Sequence, residues 1–260
     1  MNLKSLSAPS STRPLIFTIA SDGGLGKTSL LADFPRVVIV RVEDGTLSIA
    51  GRDDVAQTEV CNSVEDVMDA LTMLAVEDHG FKTVGIDTIT RFDVMVKSKV
   101  LAADPTAKGL NQAHGGYGNA YDAVAKYHLE LRRACGWLAE NKGMNVVFLA
   151  HCITKTVDPP NGDPYTRYSI PMHDEKSLPC YTNDVDVVAF ITRPVLTRGA
   201  PVIDAKTGSI KKASKALDSA DERIIVCYPN PAYIAKNRLG ISTDLPFEKG
   251  SNPFIQYLGV

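Results

Sequence analysis

The sequence predicts an α/β fold built on a mostly parallel sheet, and three observations predict it. Short apolar, β-branched runs at 15–20, 37–42, 82–87, 144–150 and 185–192 alternate with stretches of helical periodicity. The first run passes through a glycine-rich turn straight into a helix. The next three runs lead directly into Glu43, Asp87 and His151, at the carboxyl ends of strands, where open α/β sheets place their ligands. At 260 residues, 44% hydrophobic and 22% charged, the chain is long enough for a core on both faces of such a sheet and has the balance of an ordinary globular protein.

The stretch 15–31, LIFTIASDGGLGKTSLL, organises the rest. A strand ends in Ser21-Asp22-Gly23-Gly24-Leu25-Gly26, and Lys27-Thr28-Ser29 opens an apolar helical pattern. This is the strand–loop–helix setting of a phosphate-binding loop. Glycines let successive backbone N–H groups face an anion, and the helix N-terminus adds its positive dipole end. Lys27 is placed to reach the β- and γ-phosphates of a nucleoside triphosphate, and the Thr28 hydroxyl to ligate Mg²⁺. One position departs from the consensus: Ser21 stands where the first glycine is usual, and Gly23 and Gly24 are the candidates to supply the flexibility. The alternative is a glycine-rich turn with a surface lysine.

The remaining elements follow in order. A short helix over 28–34 stops at Pro35. The strand 37–42, VVIVRV, ends in Glu43-Asp44-Gly45, where either carboxylate can polarise a water; Glu43 follows the strand directly, whereas Asp44 suits the turn. The helix 63–77 opens with a capping box, Ser63 and Asp66. It leads to 82–87, KTVGID, an apolar strand ending in Asp87. That is the Walker B pattern, in which the carboxylate holds Mg²⁺. A helix over 90–103, a polar glycine-rich loop over 104–118 (mobile, or a partner surface) and a long amphipathic helix over 119–141 come next. Tyr121 and Trp137 on that helix read as core or groove packing. The strand 144–150, MNVVFLA, ends at His151, whose imidazole is either a γ-phosphate sensor or a satisfied strand-end histidine. Residues 153–183 read as one long loop with prolines and with Tyr165, Tyr168 and Tyr181 among Lys155, Arg167 and Lys176, suited to single-stranded nucleic acid or to a structural flap. After the strand 185–192, a hairpin is expected over 195–209 around Lys206-Thr207-Gly208. Lys211, Lys212 and Lys215 form a basic cluster. A further strand covers 223–228, and Lys236-Asn237-Arg238 follows.

The totals narrow the classes. A net charge of −2 excludes a globally basic nucleic-acid coat but allows a local basic groove. Five scattered cysteines without paired spacing read as reduced thiols in an intracellular protein, and His151, Cys152, His173 and Cys180 match no metal-knuckle spacing. No apolar run is long enough to span a membrane. The Ser/Pro-rich segment 1–14 reads as a flexible lead-in to a domain over 15–260.

With SDGGLGKTSL, VEDG, TVGIDTITRF, YGNAY, NVVFLAH and AKNRLG in place, the chain resembles the RecA-like P-loop ATPases, and more narrowly the phage-type AAA-family nucleotide-binding proteins that include single-strand annealing and recombination ATPases. The resemblance implies a three-layer sandwich with parallel strands in the order 5-1-4-3-2, counted along the chain, and an antiparallel extension after Thr192. It implies ATP and Mg²⁺ as ligands. Glu43 would be the catalytic carboxylate, Asp87 the Mg²⁺ ligand with Thr28, and His151 the γ-phosphate sensor. Lys236 and Arg238 would act as fingers in trans in a homo-oligomer, where a cation supplied by a neighbour stabilises the transferring phosphoryl group. It also implies DNA, single-stranded, as partner, no membrane, and the cytoplasm (a host's, if phage-encoded) as location. The function expected is ATP hydrolysis coupled to DNA recombination, annealing or replication. The alternatives are a nucleotide-gated binding module with negligible turnover, and a small-molecule kinase.

Overall fold

The computed structural model describes residues 13–194, 197–198, 202–203, 210–212, 215–216 and 222–258. In chain order the elements are β1 (Ile16–Ser21), α1 (Lys27–Ala32), β2 (Val37–Arg41), β3 (Ala56–Gln57), α2 (Val64–Val76), β4 (Thr83–Asp87), α3 (Ile89–Ala102), α4 (Asn119–Lys142), β5 (Asn145–His151), β6 (Ile153–Val157), β7 (Tyr165–Ser169), α5 (Pro179–Thr182), β8 (Val187–Thr192), β9 (Thr197–Arg198), β10 (Val202–Ile203), β11 (Ile210–Lys212), β12 (Lys215–Ala216), β13 (Arg223–Val226), β14 (Lys236–Asn237) and β15 (Leu245–Phe247).

The main sheet runs β15-β13-β8-β1-β5-β4-β2-β3, with β14 also on β8. The strands β8, β1, β5, β4 and β2 are parallel and stand in the order 5-1-4-3-2, as the resemblance implied. β13, β14 and β15 are antiparallel additions. Strands covered on both faces need apolar residues at every position, and β1 and β4 are buried along their whole length. Alternate residues feed two cores. Val38, Val40, Ile86, Val146 and Phe148 face a layer of α2, α3 and α4, joining Leu71, Phe92, Val96 and Leu131. Phe17, Ile39, Val147 and Leu149 face the other layer, joining Leu30 and Leu31 of α1 and the C-terminal Phe247 and Phe254. The predicted capping box of α2 is present: Asp66 N donates to Ser63 Oγ at 3.1 Å, and Ser63 N to Asp66 Oδ2 at 3.0 Å.

A buried polar chain ties the helical layer to the sheet. His128 bonds Asp93 through Nε2 at 3.0 Å and the Tyr181 hydroxyl through Nδ1 at 2.8 Å. The Thr18 hydroxyl donates to the Tyr181 carbonyl at 2.7 Å. A carboxylate only accepts, so Nε2 carries a proton and donates to Asp93.

Four expectations meet a different outcome or fall outside the description. The segment 153–183 is not one loop: β6 and β7 form an antiparallel hairpin, and α5 follows. Its strands are polar on both faces (Thr154, Lys155, Thr156; Thr166, Arg167), so the apolar alternation that marks a half-buried strand is missing. The hairpin is held instead by tertiary docking. Tyr168 stacks on Tyr233 with centroids 5.1 Å apart, and its N–H donates to Ala232 O at 2.7 Å. Of the two aromatics read as core or groove packing, Trp137 is 46% exposed and lines a groove rather than the core, and Tyr121 packs on His173. The expected hairpin after Thr192 appears as β10 paired with β11, beside a β9–β12 pair; the turn 206–208 and the side chains of Lys211, Lys212 and Lys215 lie outside the described residues. So do residues 1–12 of the expected lead-in, whereas Arg13 is bound to Asp186. Among the described residues no helix is long and apolar enough to cross a membrane.

Candidate active site

The parallel register brings four distant points of the chain to one edge of the sheet. Ser21 at the end of β1 pairs with His151 at the end of β5. Arg41 near the end of β2 pairs with Asp87 at the end of β4, and Glu43 N donates to the Asp87 carbonyl at 3.1 Å. The glycine-rich loop, Glu43, Asp87 and His151 therefore meet without any of them being close in sequence.

In the loop, Gly24 and Gly26 have φ of +77° and +99°, which only glycine takes without strain. Ser21 belongs to β1 and is extended, so the missing first glycine is not required by the backbone here. Its hydroxyl donates to Asp22 O at 2.7 Å. Lys27 folds back over the loop, its ammonium 3.2 Å from each of Ser21 O, Ser21 Oγ and Asp22 O. Burial pushes the Lys27 pKa down, opposed by Asp87 and Glu43. These three acceptors hold the ammonium where a phosphate oxygen would compete for it. Asp22 accepts from the Cys152 thiol at 3.3 Å, Ser29 is mostly buried at the cavity wall, and Leu25 packs against the α1-side core.

The Thr28 hydroxyl donates to Asp87 Oδ2 at 2.8 Å. Asp87 is 3% exposed, and burial pushes its pKa up to about 6; Thr28 and Lys27 oppose the rise and Glu43 adds to it. Glu43 Oε1 lies 3.3 Å from His151 Nε2. That hydrogen bond is the largest influence holding the Glu43 carboxyl below its ordinary range, against the opposing effect of burial. His151 N donates to the Thr90 hydroxyl at 3.3 Å, fixing the strand end that carries the imidazole.

These groups line one cavity of about 280 Å³, which also takes in Gly45, Ser48 and Lys249. A larger hollow of about 450 Å³ lies beside it, between Asp44 and Gln57. Among the described residues the one cation lining it is Arg52, which is bound by Asp33 and Asp54, so those residues offer no converging phosphate-binding groups. The donor set suits Mg²⁺. That ion takes one or two protein oxygens and fills its shell with water and substrate phosphates. Thr28 Oγ1 and Asp87 Oδ2 are two hard oxygens side by side at the loop.

Lys236 and Arg238 are not brought to this cavity. β14 pairs with the start of β8, Lys236 opposite Val188, and Val187 there pairs with Phe17 of β1. That is three or four residues short of the phosphate loop, roughly 10 Å down the strand at about 3.3 Å per residue. Lys236 donates to Asn183 O at 2.7 Å, and Arg238 bonds Asp186 at 3.2 Å. Conversely, Ser48 and Lys249 line the cavity although no motif marks them. Lys249 sits in a Glu-Lys-Gly turn that reads as surface, and the pairing of β15 with β13 carries it toward the site.

The family model described as AAA domain matches residues 13–239 of this chain. The match takes in the loop, Glu43, Asp87, His151 and the Lys236–Arg238 pair. The comparison with curated proteins returned no match.

Proposed function

This chain belongs to the AAA domain family, and from that membership we propose that it is a Mg²⁺-dependent ATPase that works on single-stranded DNA as a homo-oligomer. The observation that carries the ATPase is the meeting of Lys27, Thr28, Asp87, Glu43 and His151 on one cavity. Lys27 and the loop amides bind the phosphate chain. Thr28 and Asp87 hold Mg²⁺, which supplies charge neutralisation at the phosphate oxygens. Glu43, ionised at neutral pH, accepts the proton of the attacking water. His151 either donates to Glu43, as it stands, or to a phosphoryl oxygen, so nucleotide state decides which partner it holds. Its movement passes to the β6–β7 hairpin, which begins two residues on.

That hairpin supports the nucleic-acid part of the proposal. It sets Lys155 directly opposite Arg167, with Tyr165 two residues before the arginine. Like charges across a strand pair are unfavourable unless an anion or a carboxylate answers them, and Asp174 already answers Lys155. Lys236 and Arg238 reach a phosphate only in a second protomer, which is why the proposal includes an oligomer.

The test is the ATPase rate of wild type and Lys27→Ala with and without single-stranded DNA. Hydrolysis that Lys27→Ala abolishes and DNA stimulates is the expected result. Hydrolysis unchanged in Lys27→Ala, or none in wild type, overturns the ATPase. Hydrolysis with neither DNA stimulation nor DNA retention overturns the nucleic-acid part alone. Partial recovery on mixing Lys27→Ala with Arg238→Ala protomers supports fingers in trans; no recovery in confirmed co-assemblies counts against them.

A further inference from the structure

The phosphate cavity receives a second cation from a part of the chain outside every motif. Lys249 follows β15, and two sets of contacts fix where it arrives. Before it, the buried Phe247 ring packs on the phosphate loop, with Cε1 3.2 Å from where a Cβ would stand on Gly26. After it, the turn is pinned to the far end of α1: Gly250 N donates to Asp33 Oδ2 at 3.1 Å, and Asn252 Nδ2 to Asp33 O at 3.3 Å. Within the turn, Ser251 bonds Glu248 O through N at 3.2 Å and Oγ at 2.9 Å. The segment is thus fastened at both ends of the helix that carries Lys27 and Thr28.

The charge pattern says what such a cation is for. The charged side chains lining the cavity beside Lys249 are Lys27, Glu43 and Asp87, so a second lysine there offsets the second carboxylate and leaves Lys27 to the phosphates. Lys236 and Arg238 are engaged elsewhere by Asn183 and Asp186. Among the described residues Lys249 has no hydrogen-bond or ion-pair partner. It is exposed, and it lines the cavity beside Ser29 and Ser48.

We propose that Lys249 is a phosphate-binding residue acting in cis, its ammonium bonding the β- or γ-phosphate of the nucleotide held by Lys27 of the same chain. The inference rests on the nucleotide-binding reading above, and it makes the turn after β15 part of the site. Calorimetric titration of the full chain with ATP and with AMP, in Mg²⁺, tests it. A charge-assisted hydrogen bond to phosphate predicts that Lys249→Ala binds ATP about tenfold or more weakly, and AMP with a much smaller loss. Lys249→Arg is expected to keep most of the affinity. Lys126→Ala, an exposed lysine on α4, controls for general charge and is expected to bind as wild type does. Thermal unfolding of Lys249→Ala is expected to match wild type, because the side chain is exposed. Lys249→Ala binding ATP as tightly as Lys126→Ala, while Lys27→Ala loses binding, overturns the role of Lys249 and leaves the nucleotide site standing. Equal losses for ATP and AMP overturn a contact to the β- or γ-phosphate. No ATP binding by wild type fails the nucleotide reading itself.

Discussion

Gly26→Ala tests whether the loop depends on the tertiary contact that closes over it. The substitution meets two independent costs. At φ +99° a Cβ is strained whatever the space around it, about 1–2 kcal/mol for an L-residue on the left-handed side. The new Cβ also stands 3.2 Å from Phe247 Cε1 and 3.3 Å from Arg223 Nη1. Phe247 is 2% exposed and wedged in the α1-side core, so its ring cannot swing away; overpacking of this kind costs about 1–2 kcal/mol more. The sum, about 2–4 kcal/mol, corresponds to a fall in melting temperature of roughly 4–8 °C for a domain of this size. Gly23→Ala is the matched control, because a Cβ there meets nothing within 4 Å and its φ is not positive; it is expected to stay within about 1 kcal/mol of wild type. Thermal unfolding followed by circular dichroism reads both. A Gly26→Ala protein that melts with wild type, or a Gly23→Ala protein that falls as far, would refute the packing of β15 on the loop.

Two further outcomes follow from the site and its frame. Glu43→Gln keeps the shape of the side chain and removes the base, so steady-state hydrolysis is expected to fall about 10²- to 10⁴-fold with ATP affinity little changed; rates equal to wild type would remove Glu43 from catalysis and favour a nucleotide-gated binding module. Asp186 is 2% exposed, and although burial pushes its pKa up, the hydrogen bonds from Arg13 and from Ile16 N, with the charges of Arg13 and Arg238, hold it below the ordinary range. A depressed carboxylate contributes stability that is full above its unfolded pKa, near 4, and is lost as pH falls through the lower folded value. Asp186→Asn is therefore expected to be about 1–3 kcal/mol less stable at pH 7, a modest figure because both arginines are half exposed. Urea unfolding should show the gap narrowing toward pH 3, and a gap independent of pH would show that charge is not the reason.

Much of the frame was readable in the residues. The phosphate loop is contiguous, so its strand, glycines, Lys27 and Thr28 are all local properties of one stretch. Asp87, Glu43 and His151 were readable as chemistry at strand ends, because buried parallel strands are apolar throughout and the first polar residue after them stands out. The β6–β7 hairpin was not readable, because its polar faces carry no alternation and Tyr168 gains its place from Tyr233, sixty-odd residues away. For Trp137 the choice between core and groove was open in the sequence, because helical spacing gives the direction of a side chain and not how far its neighbours extend over it; it lines a groove with Leu129 and Arg133 and is 46% exposed.

The division between the two sources of information follows from range. Periodicity, capping and turn chemistry act over a few residues, so the chain alone specified the class of fold, the glycine-rich loop and the polar strand ends. Which strand lies beside which depends on contacts between residues more than a hundred positions apart, such as Ser21 with His151. Only that pairing placed Glu43 against His151, kept Lys236 and Arg238 away from their own chain's loop, and brought Lys249 to it. For the loop of 21–29, the covalent sequence supplied the donors, and the folded sheet chose the groups that face them.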